Sequence, residues 1–270
     1  MTRFIASDLD GTLLQSQGTV SLENQAAIQK VLAEGLDLIF VTGRPTRWMT
    51  EIAEMTGHRG LVLCANGAVH FDLTSNEIVH ADLMSGEVGL LAAERLREID
   101  PNISFAVELA RTSTEFLTDQ NYRPRWETKT PPPKVSVEEM FDTEIVVKFL
   151  ARPSEQAVHD ADSFLAAADA ALNGIVDITH SDIHDVLIEM SLLGVNKGTG
   201  LARVAKDRGF TQAQVVAIGD MPNDIPMIQW AGLGAAVANA HERVKEVADL
   251  HLPTNDEHAF AHLVEHVLNN

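Results

Sequence analysis

Asp8-Leu9-Asp10-Gly11-Thr12 places two carboxylates at i and i+2 directly after the apolar run Arg3 to Ser7. Gly11 permits a tight turn there. Four specified residue types in such an arrangement arise by chance at a rate of order 10⁻⁵ per position. The pentapeptide therefore reads as a site rather than as a turn with acidic caps. One carboxylate suits a nucleophile or metal ligand, the other proton transfer. Gly219-Asp220-Met221-Pro222-Asn223-Asp224 ends a second apolar run. Two carboxylates and an amide make a hard oxygen site, and Mg²⁺ takes one or two carboxylates plus water and substrate phosphate. Thr42-Gly43-Arg44 follows a third run, Leu36 to Val41. A hydroxyl and free N–H groups at a helix start can hold an anion. Lys197, in Asn196-Lys197-Gly198-Thr199-Gly200, enters a helical pattern and brings a point charge suited to phosphate. Alone, the last two signals are weak: such a turn is usually just a turn, and most lysines are solvated surface.

The elements that must position these residues are legible in the hydropathy pattern. Arg3 to Ser7, Leu36 to Val41, Leu61 to Ala65 and Val215 to Ile218 are near-continuous apolar runs, the mark of strands buried on both faces. Helical patterns separate them, one opening at Ser21 and closing at Gly35, another running to about Thr56, a third from Gly198 to Arg208. Strand and helix alternation predicts a parallel sheet covered by helices. Each of the polar motifs ending a strand lies at its C-terminal end, where an open parallel sheet forms its ligand crevice.

The middle of the chain reads differently. A helix is expected over Ser85 to Ile99, an Ala-rich helix over Ser154 to Leu172, strands at Ile145 to Leu150 and Val186 to Met190, and an irregular Pro-containing segment from Phe116 to Val135. Two α/β segments flanking a mixed one predict a discontinuous core of residues 1–82 and 190–270, with a second domain inserted at 83–189.

The chain carries 20 Lys+Arg against 39 Asp+Glu in 270 residues, a net charge of −19. That acidity argues against nucleic acid as a partner, which would need a basic stripe, and against an anionic membrane surface. The one cysteine, Cys64, excludes an internal disulfide and a cysteine-based zinc site; it is expected inside a buried strand. No run approaches the roughly 18 apolar residues of a membrane span, and the first residues are too short a prelude to Asp8 for a signal peptide. A cytoplasmic protein is expected, and the oligomeric state is left open.

With these motifs in hand, the chain resembles the haloacid dehalogenase superfamily, in its Cof-type phosphatase branch with a C2B-type cap (subfamily IIB). The first family motif, DxDGT, matches Asp8, Asp10, Gly11 and Thr12; the second-motif threonine matches Thr42, the third-motif lysine Lys197, and the fourth motif, GDxxND, matches Gly219, Asp220, Asn223 and Asp224. Asn66-Gly67-Ala68 matches a sequence frequent in the branch. The resemblance implies a doubly wound, Rossmann-like α/β core with an inserted α+β cap. It implies a Mg²⁺-dependent phosphatase of small phosphorylated metabolites, with sugar phosphates one candidate class. Asp8 would be the nucleophile that forms an aspartyl phosphate, and Asp10 the acid and base. Thr42, Gly43, Lys197 and Asn223 would hold the phosphate. Asp8, Asp10 (through its backbone carbonyl) and Asp220 would hold the metal, with Thr12 and Asp224 in support. A phosphotransferase or phosphomutase sharing that intermediate is the alternative, and a non-catalytic phospholigand binder a remoter one. Lack of G-x-G-x-x-G after the first strand disfavours a nucleotide-cofactor oxidoreductase.

Other candidates rank lower. Asn121, Tyr122, Arg123, Arg125, His180 and His184 are possible contacts of the inserted domain, each expected at the surface. Trp126 and Phe141 are expected in a core. His258, His262 and His266 are expected on one exposed face of a C-terminal helix.

Overall fold

A computed structural model describes residues 2–111, 116–124, 130–155, 157, 161–179 and 186–269. By its internal contacts the chain divides into two units, Met1–Val79 with Asn196–Asn270, and His80–Val195.

In the first unit, β1 (Phe4–Ser7), α1 (Leu22–Ala33), β2 (Asp37–Val41), α2 (Met49–Thr56) and β3 (Leu61–Cys64) alternate as the pattern requires. β4 (Val69–Asp72) and β5 (Glu77–Ala81) follow. In the second unit come α3 (Gly86–Ile99), β6 (Ser104–Leu109), β7 (Leu117–Thr118), α4 (Val137–Phe141), β8 (Val146–Arg152), α5 (Ala161–Leu172), β9 (Val176–Thr179) and β10 (Ile188–Leu192). The chain then completes the first unit with α6 (Lys197–Asp207), β11 (Val215–Gly219), α7 (Ile225–Trp230), β12 (Leu233–Val237), α8 (Glu242–Lys245), β13 (Leu250–Leu252) and α9 (Ala259–Asn269).

The first unit is built on a sheet ordered β13-β12-β11-β1-β2-β3-β4-β5. From β13 through β3 every pairing is parallel, whereas β4 runs antiparallel to β3. Strands buried on both faces must be apolar throughout. Phe4 to Ala6, Leu38 to Val41, Val62 to Cys64 and Val215 to Ile218 are all buried. Each such large side chain contributes about 1.5–3 kcal/mol relative to exposure, which fixes the strand registers and hence their C-terminal ends. Cys64 is a buried strand residue and forms no disulfide. The antiparallel edge β4–β5 is absent from the sequence reading, because its short, partly exposed strands carry no continuous apolar run.

The second unit has an antiparallel sheet ordered β7-β6-β8-β10-β9. Alternate residues of β6 and β8 face a core with α3, α4 and α5, where Phe149 stacks on Phe105 at 5.1 Å and meets Phe141 edge-on at 5.2 Å. Phe141 is thus core. The irregular segment contains β7, and Tyr122, expected at the surface, is completely buried with Ala106, Phe116 and Leu150. Its aromatic ring removes more apolar area from water than a loop exposure would permit. Asn121 and Arg123 are exposed. Arg125, Trp126, His180 and His184 lie outside the described residues. Among the described residues no helix is long and apolar enough to cross a membrane.

Candidate active site

Asp8 begins where β1 ends. Its N–H donates to the Ile218 carbonyl at 3.0 Å, one step beyond the β1–β11 register. Its own carbonyl accepts the Ser7 hydroxyl at 2.8 Å. Asp8 is thereby held at the C-terminal end of the interior strand β1, 4% exposed. A wide turn follows, closed by Leu14 N–H on the Leu9 carbonyl at 2.8 Å. Gly11 adopts φ +71°, and a Cβ there would stand 2.3 Å from Asp220 Oδ2. Only glycine satisfies both the backbone and the space. Thr12 Oγ1 donates to Asp220 Oδ1 at 2.9 Å, and Asn239 Nδ2 to the Gly11 carbonyl at 2.8 Å.

β11 delivers the second carboxylate group beside the first. After Gly219 the chain wraps around the Asp224 side chain: Asp224 Oδ2 accepts N–H of Asp220 at 3.0 Å and of Met221 at 2.9 Å. Lys197 opens α6, whose N-terminus is capped by Asn196 Oδ1 accepting N–H of Gly198 and Thr199, both at 3.0 Å. A short polar side chain at this position satisfies donors that the helix leaves unpaired. Lys197 is 1% exposed. Its Nζ donates to Asp8 Oδ1 and to Asp224 Oδ1, each at 2.6 Å.

The electrostatics follow from burial. Asp8, Asp220 and Asp224 are buried and offer carboxylate oxygens within 4.8 Å of one another. One lysine faces three carboxylates. Burial pushes the Asp8 carboxyl well above its ordinary range, Lys197 opposes this, and Asp224, Asp220 and Asp10 reinforce it. Burial, with the Asp224 charge, pushes Asp220 up to about 7. Burial alone would lower Lys197, but the Asp224 and Asp8 charges more than offset it and hold the ammonium above its usual value.

This donor set fits a hard divalent cation. Both Asp224 oxygens are engaged, which makes it a supporting carboxylate. Among the described residues neither Asp8 Oδ2 nor Asp220 Oδ2 accepts a hydrogen bond, whereas their Oδ1 atoms do. Two available carboxylate oxygens and surplus buried negative charge are what such a cation requires.

The remaining expected residues stand around this cluster. Thr42 follows β2, the strand beside β1, and is 1% exposed. Its N–H donates to the Leu63 carbonyl at 2.8 Å and its Oγ1 accepts Arg44 N–H at 3.0 Å. Gly43 is half-buried beside it. Asn223 is buried and donates from Nδ2 to Asn66 Oδ1 at 3.1 Å, while its Oδ1 has no hydrogen-bond partner. Asp10 does not join the buried carboxylates: its side chain is 59% exposed and pairs with Arg44. Arg44, in the Thr-Gly-Arg turn, and Asn66 join the site through partners distant in sequence, Asp10 and Asn223, which neither residue's local sequence signals. Ala65, Asn66 and Gly67 have φ +51°, +58° and +93°, a strained run that presents the Asn66 amide to Asn223. Far from this site, His258 has φ +63° and precedes α9, so only His262 and His266 are carried by that helix. A left-handed residue cannot continue a right-handed helix.

The parallel sheet of the first unit thus ends in three buried aspartates, two of them bridged by one lysine. The chain belongs to the haloacid dehalogenase-like hydrolase family, which it matches over residues 5–264, and it is a phosphatase of the Cof-type branch. It is 30% identical to the 5-amino-6-(5-phospho-D-ribitylamino)uracil phosphatase YcsE of Bacillus subtilis, covering 98% of this chain and 95% of that protein. It is equally 30% identical to phosphatase YwpJ of the same organism, covering 98% and 100% of the two chains. Among solved structures, a haloacid dehalogenase-like hydrolase from B. subtilis matches with a TM-score of 0.79 at 26% identity, covering 98% of this chain and all of that one.

Proposed function

We propose that this phosphatase hydrolyses phosphomonoesters of small metabolites, sugar phosphates among them, with Mg²⁺ and through a phosphorylated Asp8. The observation that carries this reading is the buried Asp8–Lys197–Asp224 bridge beside Asp220 at the end of β1 and β11. The names of the two B. subtilis relatives support the phosphatase chemistry, and one of them names a phosphorylated sugar-alcohol moiety.

Asp8 attacks phosphorus, and the bond from phosphorus to the ester oxygen breaks. Lys197 orients Asp8 and counters the charge on the transferring oxygens. Thr42, Gly43 and Asn223 add donors to the phosphoryl group, the first two from the turn after β2 and Asn223 from the turn after β11. Asp10 gives its proton to the leaving oxygen, then takes one from the water that attacks the phosphoryl group on Asp8. That second step returns the Asp8 carboxylate and releases inorganic phosphate. Asp8, Asp220 and the Asp10 carbonyl would hold Mg²⁺, which would supply positive charge where the two anions approach each other. Thr12 fixes Asp220 and Asp224 fixes Lys197. The second unit, His80–Val195, acts as a cap that selects the leaving group.

The test is phosphate release from a panel of phosphorylated metabolites with Mg²⁺ and with EDTA, for the native chain and Asp8→Asn. Release that needs Mg²⁺ and vanishes in the variant is expected. Undiminished release by Asp8→Asn would overturn the assignment, and preferential transfer to an added alcohol would favour a phosphotransferase.

A further inference from the structure

Asp10 is the most exposed carboxylate of its motif, yet it is not loose. Arg44 Nε donates to its Oδ2 at 2.7 Å and Arg44 Nη2 to its Oδ1 at 2.6 Å, a two-point grip spanning 34 residues of sequence. A guanidinium fork matched to a carboxylate fixes orientation as well as charge. The fork is itself held. Arg44 N–H donates to Thr42 Oγ1 at 3.0 Å, the Arg44 carbonyl accepts Ala65 N–H at 3.0 Å, and the guanidinium carbon lies 5.7 Å from the Trp48 ring centroid. Backbone pinned on both sides and a side chain over an aromatic face leave Arg44 few alternatives.

From this geometry we infer that Arg44 is the positioning residue for Asp10, aiming its carboxylate for proton exchange with the leaving group and the attacking water. The inference rests on the proposed role of Asp10 as acid and base. It gives Arg44 a role distinct from that of the phosphate-holding groups of the same turn, since its Nε and Nη2 both bond Asp10. The fork suits the ionised carboxylate, which is the form present after the leaving oxygen takes the proton and the form that receives one from water.

Positioning of an acid has a signature that phosphate binding lacks. A good leaving group needs little protonation and a poor one needs much. The experiment is kcat/KM for a series of aryl phosphates, from 4-nitrophenyl through phenyl to 4-methoxyphenyl phosphate, in the native chain, Asp10→Asn, Arg44→Ala and Arg44→Lys. General acid catalysis contributes about 10²–10⁴-fold, and misplacing a group by about 1 Å costs roughly 10²-fold. In Asp10→Asn and in Arg44→Ala the plot of log kcat/KM against leaving-group pKa should therefore steepen. Arg44→Ala should lose about tenfold more on the poorest leaving group than on 4-nitrophenyl phosphate. Arg44→Lys, which keeps the charge without the fork, should keep the steep slope while binding inorganic phosphate as the native chain does. A parallel downward shift in Arg44→Ala, with the slope unchanged, would overturn the inference and assign Arg44 to phosphate binding or to structure. An unchanged slope in Asp10→Asn would instead remove the Asp10 role on which the inference stands. Recovery of the native slope in Arg44→Lys would overturn the fork in favour of charge alone.

Discussion

Replacing Lys197 with Met preserves most of the buried volume and removes one charge. In the native chain the ammonium lies 2.6 Å from both Asp8 and Asp224, and Asp220 shares the cluster. Removing one partner of a buried ion pair costs about 3–5 kcal/mol, because the other charge is left uncompensated. The cost depends on pH, and the direction is set by the carboxylates. Burial already raises Asp8 well above its usual value and Asp220 to about 7, with Lys197 holding both down. Without the ammonium both rise further. The folded variant then keeps protons at pH values where unfolded carboxylates, with pKa near about 4, have released them. A folded pKa above the unfolded one means that stability falls as pH rises through the folded value. Lys197→Met should therefore be most destabilised at pH 8 and recover toward pH 5, where protons take the place of the missing charge. At roughly 2–4 °C per kcal/mol for a chain of this size, the midpoint in EDTA should fall by on the order of 10 °C at pH 8. The fall should be distinctly smaller at pH 5. Differential scanning calorimetry of both proteins at the two pH values measures this. Equal losses at both, or none, would refute the claim that an uncompensated carboxylate cluster drives the effect.

Gly67→Ala builds a Cβ at φ +93° and 2.6 Å from the Asn196 carbonyl, just before Lys197; a kcat loss of about tenfold or more is expected from the displaced lysine, and native kcat would contradict it. Burial holds the His58 imidazole at about 4, so the unfolded chain takes a proton first as pH falls. The His58 contribution to stability should therefore fall by about 3 kcal/mol from about pH 6.5 to pH 4, and urea titrations should show His58→Leu gaining stability relative to the native chain over that range. Asp220 must lose its proton to ligate a cation. With its pKa at about 7, the ionised fraction rises roughly tenfold from pH 6 to pH 8, and calorimetric titration should show Mg²⁺ affinity rising by at least that factor.

The parallel core was legible because strands buried on both faces must be continuously apolar, as Phe4 to Ala6 and Leu38 to Val41 are. Their ends were marked by polar and turn-forming residues, Asp8 after the first and Thr42-Gly43 after the second. The β4–β5 edge was not legible, since antiparallel pairing after Gly67 depends on a turn with three left-handed residues rather than on hydropathy. Within the site, the residue types of each motif were plain from the chain. Their partners were not: Lys197 meets Asp8 across 189 residues and Arg44 meets Asp10 across 34, and only the folded sheet brings them together. Tyr122 shows the converse limit, since a polar, Pro-containing neighbourhood disguised a ring that the second sheet buries completely. His258 was placed on α9 by spacing alone, which carries no information about its left-handed backbone.

The central claim is that Asp8 itself carries the phosphoryl group. It is tested most directly by mixing ³²P-labelled 4-nitrophenyl phosphate with the native chain and with Asp10→Asn in Mg²⁺, quenching in acid within the first turnover, and mapping the label by peptide. The account predicts hydroxylamine-labile label on the peptide containing Asp8, accumulating more in Asp10→Asn and absent from Asp8→Asn. Label on another residue, or product formed in the first turnover with no labelled protein, would contradict it.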